Sequence, residues 1–203
     1  MVDDEAYIEL AHPEDAPEQV RNVYREILET REGEMDDEMN LNKMWLAYGT
    51  APDALEAFWP HMRDSYRAGE LPFELKSKVS LVTASVMECE GCRFFHSSRL
   101  ADEGVDEEEI ERMRDVEIEE SAFSKQEYEV LRFTEQLATD HHSTDESDIE
   151  RLREVGLSDR EIVELIDSIA IHVHTAIFQE ATGVIEQGMS RDSYLVGSDG
   201  LDE

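Results

Sequence analysis

Two cysteines and a histidine crowd into the segment Cys89-Glu90-Gly91-Cys92-Arg93-Phe94-Phe95-His96. Sulfur beside imidazole is a pairing that serves redox catalysis or metal binding. Cys92 and His96 are four positions apart, so on one helix their side chains share a face. There the imidazole can take the thiol proton and hold an ion pair with the sulfur. Cys89 lies one turn away and can condense with an oxidised Cys92. Nucleophile, base and resolving thiol thus fit into one short stretch.

The flanking charges act in both directions. Glu88 and Glu90 bracket Cys89 and disfavour a thiolate, while Arg93 offsets one of them. A helix starting at this point would place both sulfurs at the positive end of its dipole, which favours a thiolate. Two other readings of the same residues stay open. The cysteines can be buried packing residues with an incidental histidine. They can also hold zinc, although a fourth ligand, a second C-x-x-C and an H-x-x-x-H are all lacking.

The elements that must position this segment read as helices. Residues 73–88 carry Leu75, Val79, Leu81, Val82, Ala84, Val86 and Met87, apolar on more than one side, as in a buried helix. They run directly into Cys89. Gly91 suggests a break, followed by a helix from near Cys92 to about Gly104. Upstream, Pro17 opens an amphipathic run through Val20, Val23, Tyr24, Ile27 and Leu28, which Gly33 and residues 34–38 end. Short helices follow through Met44–Tyr48 and from Pro52, the latter stopped by Gly69. Further helices fit 106–114, 125–138, 145–155 and 159–182. Ser124 with Glu127 and Ser158 with Glu161 have capping-box spacing, and Gly183 suits a helix stop. Helices 73–88 and 161–182, the two most apolar, are expected to form the centre of an all-α bundle. No strand pattern competes. The expected organisation is an acidic lead-in over 1–12, one helical domain over 13–189, and a polar, frayed tail over 190–203.

Composition bounds the partners. The 203 residues include 51 Asp and Glu against 18 Lys and Arg, a formal net charge of −33, with 40% hydrophobic content. That content supports a core, and the charge repels nucleic acid and anionic membranes. The acids recur through every expected helix, a pattern that fits molar salt, where the Debye length falls to about 3 Å and self-repulsion is screened. The melting temperature is therefore expected to rise steeply from low to molar salt; a flat response would contradict the salt-adapted reading. Met1-Val2-Asp3-Asp4-Glu5 shows no signal-peptide pattern, and no stretch approaches a membrane span, so a cytoplasmic location is expected. In that compartment a close cysteine pair is more often catalytic or metal-binding than structural.

The stretch Leu71-Pro72-Phe73-Glu74-Leu75-Lys76-Ser77-Lys78-Val79-Ser80-Leu81-Val82, running into Cys89-x-x-Cys92-x-x-x-His96, resembles the core of the carboxymuconolactone decarboxylase superfamily, in its alkylhydroperoxidase D-like branch. Pro13–Pro17, Phe133–Leu137, Asp140-His141-His142 and Gly156–Val163 resemble the family's flanking blocks, in order, so the likeness spans roughly 13–185. It implies an all-α fold assembling into homo-oligomers and a thiol-dependent peroxidase activity. Cys92 would attack the peroxide beside His96, and Cys89 would be its disulfide partner. The partners implied are a small-molecule peroxide and an external dithiol reductant; no organic cofactor and no metal are expected. Decarboxylases of the superfamily generally lack the cysteine pair, so its presence favours redox chemistry over lactone decarboxylation or isomerisation by His96. A non-enzymatic, redox-sensing oligomer is the third reading.

Two positions depart from the family. A glutamate usually stands twelve residues before the first cysteine and feeds a proton relay; here the position is Ser77, whose hydroxyl cannot carry charge near neutral pH. Glu74, one turn earlier, is the candidate substitute. Gly91 replaces a tyrosine or histidine before the second cysteine. Among the other residues, His172 and His174 point to opposite sides of an apolar helix, and one of them can reach the thiol pocket or an interface. His141 and His142 read as surface residues. Trp45, Phe58, Trp59, Phe94 and Phe95 read as core or interface.

Overall fold

The computed structural model describes residues 6–31, 40–184 and 195–197. Its elements are α1 (Glu18–Arg31), β1 (Asn40–Asn42), α2 (Lys43–Gly49), α3 (Pro52–Arg67), α4 (Phe73–Val86), α5 (Glu90–Asp102), α6 (Glu107–Arg114), α7 (Lys125–Thr139), α8 (Glu146–Glu154), α9 (Asp159–Thr182) and β2 (Leu195–Gly197). The fold is all-α, as expected. The expected break at Gly33 and 34–38 lies outside the described residues. So do residues 1–5 of the lead-in and the tail from Ser190, apart from β2.

The chain gathers into two compact units, residues 1–62 with 177–203 and residues 63–176. In the first, the amphipathic stripe of α1 buries Val20, Val23, Tyr24, Ile27 and Leu28 against Leu41, Met44, Trp45, Leu46, Leu55 and Trp59. The Tyr24 hydroxyl donates to the Ala11 carbonyl at 2.9 Å, which satisfies the phenol in this core. Tyr48 stacks between Phe58 and Phe178, with centroids 4.8 and 4.0 Å away. β1 pairs antiparallel with β2, Leu41 opposite Val196. Sequence pattern missed this ribbon because three-residue strands are too short to show alternation.

The second unit is built around α4. Residues Leu75–Ser85 of α4 are all buried, and the helix packs on α5, α7 and α6. Its Val79, Leu81 and Val82 meet Leu100, Ile110, Met113, Val130, Leu131 and Phe133 in one cluster. The sequence reading placed the last long helix beside α4 at the centre. In the structure α9 joins the α4 cluster through Ile162, Leu165 and Ile169. The polar positions of α4 survive burial by internal bonding. The Ser80 and Thr83 hydroxyls lie 2.7 and 2.8 Å from the carbonyls of Lys76 and Val79. The Lys76 ammonium donates to the Ala68 carbonyl at 2.6 Å. Lys78 pairs with Glu127, Glu109 and Glu74 at 2.6, 2.7 and 3.0 Å. Burial pulls the Lys78 pKa down, but these three carboxylates outweigh it and raise the pKa, so the lysine stays charged.

Helix ends follow the expected chemistry. Ser124 and Glu127 form a reciprocal capping box on α7, and Ser158 and Glu161 bond reciprocally at the start of α9. Between α3 and α4, Gly69 takes φ +99°, open to glycine but strained for other residues. The amides of Glu70 and Leu71 there both donate to the Glu164 carboxylate at 2.8 Å. This anchor on α9 fixes the end of α3, which carries Tyr66.

Candidate active site

The junction between α4 and α5 sets the two sulfurs. Glu88 adopts φ 54°, in the left-handed region, and the Cys89 amide donates to the Ala84 carbonyl at 3.0 Å. The break therefore falls at Glu88, not at Gly91, which lies inside the first turn of α5. Cys89 is the N-cap of α5, and its carbonyl accepts from the Arg93 amide at 2.9 Å. Both sulfurs thus sit at the electropositive end of a 13-residue helix. Cys89 and Cys92 are joined by a disulfide, with Cα atoms 5.3 Å apart. Cys89 is fully buried, whereas Cys92 keeps 6% of its surface exposed. Arg93 reaches Glu90 at 3.4 Å and so offsets one of the two flanking carboxylates.

His96 is one turn further along α5 and only 4% exposed. Helical side chains lean toward the N-terminus, and the four-residue spacing puts His96 and Cys92 on one face of α5. His96 does not stand alone. Its Nδ1 is 3.2 Å from the hydroxyl of Tyr66, at the end of α3. The same hydroxyl is 2.6 Å from Nε2 of His172 on α9 and 2.9 Å from the Ser80 hydroxyl on α4. Nδ1 of His172 lies 2.6 Å from the Ser168 carbonyl. Four helices therefore converge on one phenol.

A cation completes the group. The Arg99 guanidinium lies over the rings of Tyr66, Phe95 and Phe73, at 4.9, 5.1 and 5.4 Å from their centroids. Burial chiefly, then the neighbouring His172 and Arg99, hold the His96 pKa well below that of a free imidazole. Burial likewise lowers His172 to about 4. Both rings are neutral at pH 7. A surface cavity of about 420 Å³ runs along residues 66–73 and reaches Tyr66 and Phe73.

These depressed values make a stability prediction. Folding keeps His172 unprotonated while the unfolded chain would protonate near pH 6.5. Stability is thus fully present above pH 6.5 and is lost as pH falls toward about 4. The His172 shift corresponds to about 3 kcal/mol. Urea midpoints at pH 7 and pH 4 are expected to differ less in His172→Gln than in the parent chain. Equal acid losses in the two would contradict the buried neutral imidazole.

The structure directs the expected relay residues elsewhere. Ser77 bonds the Glu103 carboxylate at 3.2 Å, and Glu74 points outward to Lys78. The group bonded to His96 is Tyr66, which sequence reasoning did not single out. Of the histidine pair on α9, His172 is the one that reaches the site, while His174 is exposed. His141 and His142 are on the surface. Trp45, Phe58 and Trp59 pack in the first unit, and Phe95 borders the site, but Phe94 is 38% exposed instead of core. Among the described residues, no three His, Cys, Asp or Glu side chains gather as metal ligands. No described helix is long and apolar enough to cross a membrane.

The site thus consists of a cysteine pair at the start of one helix of an all-α bundle, with an imidazole one turn on. Residues 52–136, from the start of α3 through most of α7, match the carboxymuconolactone decarboxylase family. The matched segment contains Cys89, Cys92 and His96. No curated protein matches the chain. Among solved structures, an uncharacterized peroxidase-related protein with an alkylhydroperoxidase core from Ralstonia eutropha JMP134 is 16% identical, covers 94% of this chain and 95% of its own, and has a TM-score of 0.77. A peroxidase-related protein from Silicibacter sp. TM1040 is 17% identical over 88% and 93%, with a TM-score of 0.71. The debrominase Bmp8, solved with 2,3,4-tribromopyrrole, is 19% identical over 88% and 91%, with a TM-score of 0.70. At these identities the likeness speaks for the fold.

Proposed function

We propose that the protein is a thiol-dependent peroxidase that cycles Cys89 and Cys92 between dithiol and disulfide. The observation that carries this reading is the disulfide at the N-terminus of α5 with His96 one turn beyond it. In the reduced protein, His96 takes the Cys92 proton and the helix dipole favours the thiolate. The sulfur attacks the distal peroxide oxygen; an S–O bond forms and the O–O bond breaks. The departing alkoxide takes the proton from His96 and leaves as alcohol, and Cys92 becomes a sulfenic acid. The Cys89 thiol then attacks Cys92, forming the disulfide and releasing water. An external dithiol returns the pair to the reduced state by exchange, becoming a disulfide itself.

Cys92 is the attacking sulfur in this scheme because it retains some exposure and shares α5 with the base, whereas Cys89 is sealed. A peroxide is small enough for so narrow an opening. The discriminating experiment follows oxidation of a dithiol by an organic hydroperoxide, with the parent chain and the Cys89→Ser, Cys92→Ser double variant. Turnover by the parent alone supports the reading. Lactone decarboxylation or isomerisation that persists in the double variant would reassign the chemistry to acid–base work by His96. A change of oligomeric state on oxidation, without peroxide turnover, would make the chain a redox sensor.

A further inference from the structure

We propose that Tyr66 and His172 are positioning residues that hold His96 as its Nδ1–H tautomer, so that Nε2 is left unprotonated to receive the Cys92 proton. The proposal deepens the peroxidase reading and rests on it for the identity of the proton donor. It follows from counting protons along four groups.

Nδ1 of His172 faces the Ser168 carbonyl at 2.6 Å, and a carbonyl only accepts, so that nitrogen carries a hydrogen. Burial keeps the His172 ring neutral, so its Nε2 has a bare lone pair. That lone pair is 2.6 Å from the Tyr66 oxygen. Two lone pairs cannot face each other at that distance; the single phenolic proton of Tyr66 must point at His172. The Tyr66 oxygen can then only accept from His96. Nδ1 of His96, 3.2 Å away, must therefore be the protonated nitrogen. The Ser80 hydroxyl does not break the chain. With its proton on His172, Tyr66 also accepts from the Ser80 hydroxyl at 2.9 Å, and Ser80 then turns its proton away from the Lys76 carbonyl 2.7 Å off.

The consequence is chemical. A neutral imidazole with hydrogen on Nδ1 is a base only at Nε2, and a free histidine prefers the opposite tautomer. Tyr66 and His172 thus perform by hydrogen bonding what an acidic relay residue would do by charge. Ser77, the position where such an acid would be expected, is engaged with Glu103. No carboxylate is needed because the Ser168 carbonyl sets the direction of the whole chain.

The test reads the tautomer directly, on the full chain with ¹⁵N-labelled histidine, reduced by a dithiol, at pH 7. Long-range proton–nitrogen correlation spectra are expected to show hydrogen on Nδ1 and a pyridine-type Nε2 for both His96 and His172. Tyr66→Phe, which removes one oxygen from a buried ring, is expected to shift His96 toward the Nε2–H form. It should also slow reaction of Cys92 with peroxide on the order of 10²-fold, the usual contribution of a positioned base. Ser80→Ala should leave the His96 tautomer unchanged. Hydrogen on Nε2 of His96 in the parent chain overturns the proposal, even if Tyr66→Phe does not fold. So does an unaltered tautomer in a folded Tyr66→Phe. The two readings fail separately: the expected tautomer without any peroxide reaction sinks the peroxidase assignment alone, and brisk peroxide reaction with hydrogen on Nε2 sinks the relay alone.

Discussion

Cys92→Ser is expected to lower peroxide turnover on the order of 10³-fold or more, because a serine hydroxyl beside a neutral imidazole is a poor nucleophile toward a peroxide oxygen. The variant should remain folded. Serine is close to isosteric with cysteine, and the core cluster around α4 does not include this side chain. Cys89→Ser should behave differently. Its Cys92 can still attack, so one equivalent of peroxide is consumed and a sulfenic acid accumulates. Without a resolving thiol the protein is then expected to stall and pass to irreversible oxidation under excess peroxide. Rapid-mixing assays of peroxide loss, with a sulfenic-acid trap, separate the two behaviours. Equal loss of the first turnover in both single variants would contradict the division of labour between the sulfurs.

Lys78→Ala is expected to destabilise the protein by about 3 kcal/mol, the low end of the range for breaking a buried ion pair. The lysine is at the heart of the second unit, where its side chain is 5% exposed, while Glu109 and Glu127 are 27% exposed. Removing the cation leaves these carboxylates half-desolvated around a cavity in a chain that already carries a net charge of −33. Their partial access to water keeps the loss below the top of the range. Exposed pairs such as Arg25 with Glu18 are in a different class and should contribute far less. Urea denaturation of Lys78→Ala and Arg25→Ala in the same salt measures the contrast. A Lys78→Ala loss as small as that of the surface pair would show that solvent already reaches the cluster.

Much of the helical frame was legible because burial in an all-α chain leaves a periodic trace. The bounds of α9, Asp159–Thr182, coincide with the expected ones. The cysteine pair and His96 were legible too, since their relation is local to one helix. What connects them to the rest of the site was not. Tyr66 stands 30 positions before His96 and 106 before His172, and at the end of an amphipathic helix a tyrosine looks like any other core residue. His172 was marked, but nothing local distinguished a packing histidine from one bonded to a phenol. The misplaced break has a similar cause. Glycine at 91 suggested a stop, whereas the turn is made by Glu88 with positive φ and Cys89 acts as the cap. Long-range hydrogen bonds leave no periodic signature, so proton inventories of this kind are read only from coordinates.

Two thiols of the reduced chain are expected to convert one peroxide into one disulfide. The most direct measurement is a thiol titration of the fully reduced chain before and after one equivalent of an organic hydroperoxide, with the disulfide located by peptide mapping. Two titratable thiols are expected before, none after, and a single Cys89–Cys92 linkage. Two thiols still free after the peroxide has been added would contradict it.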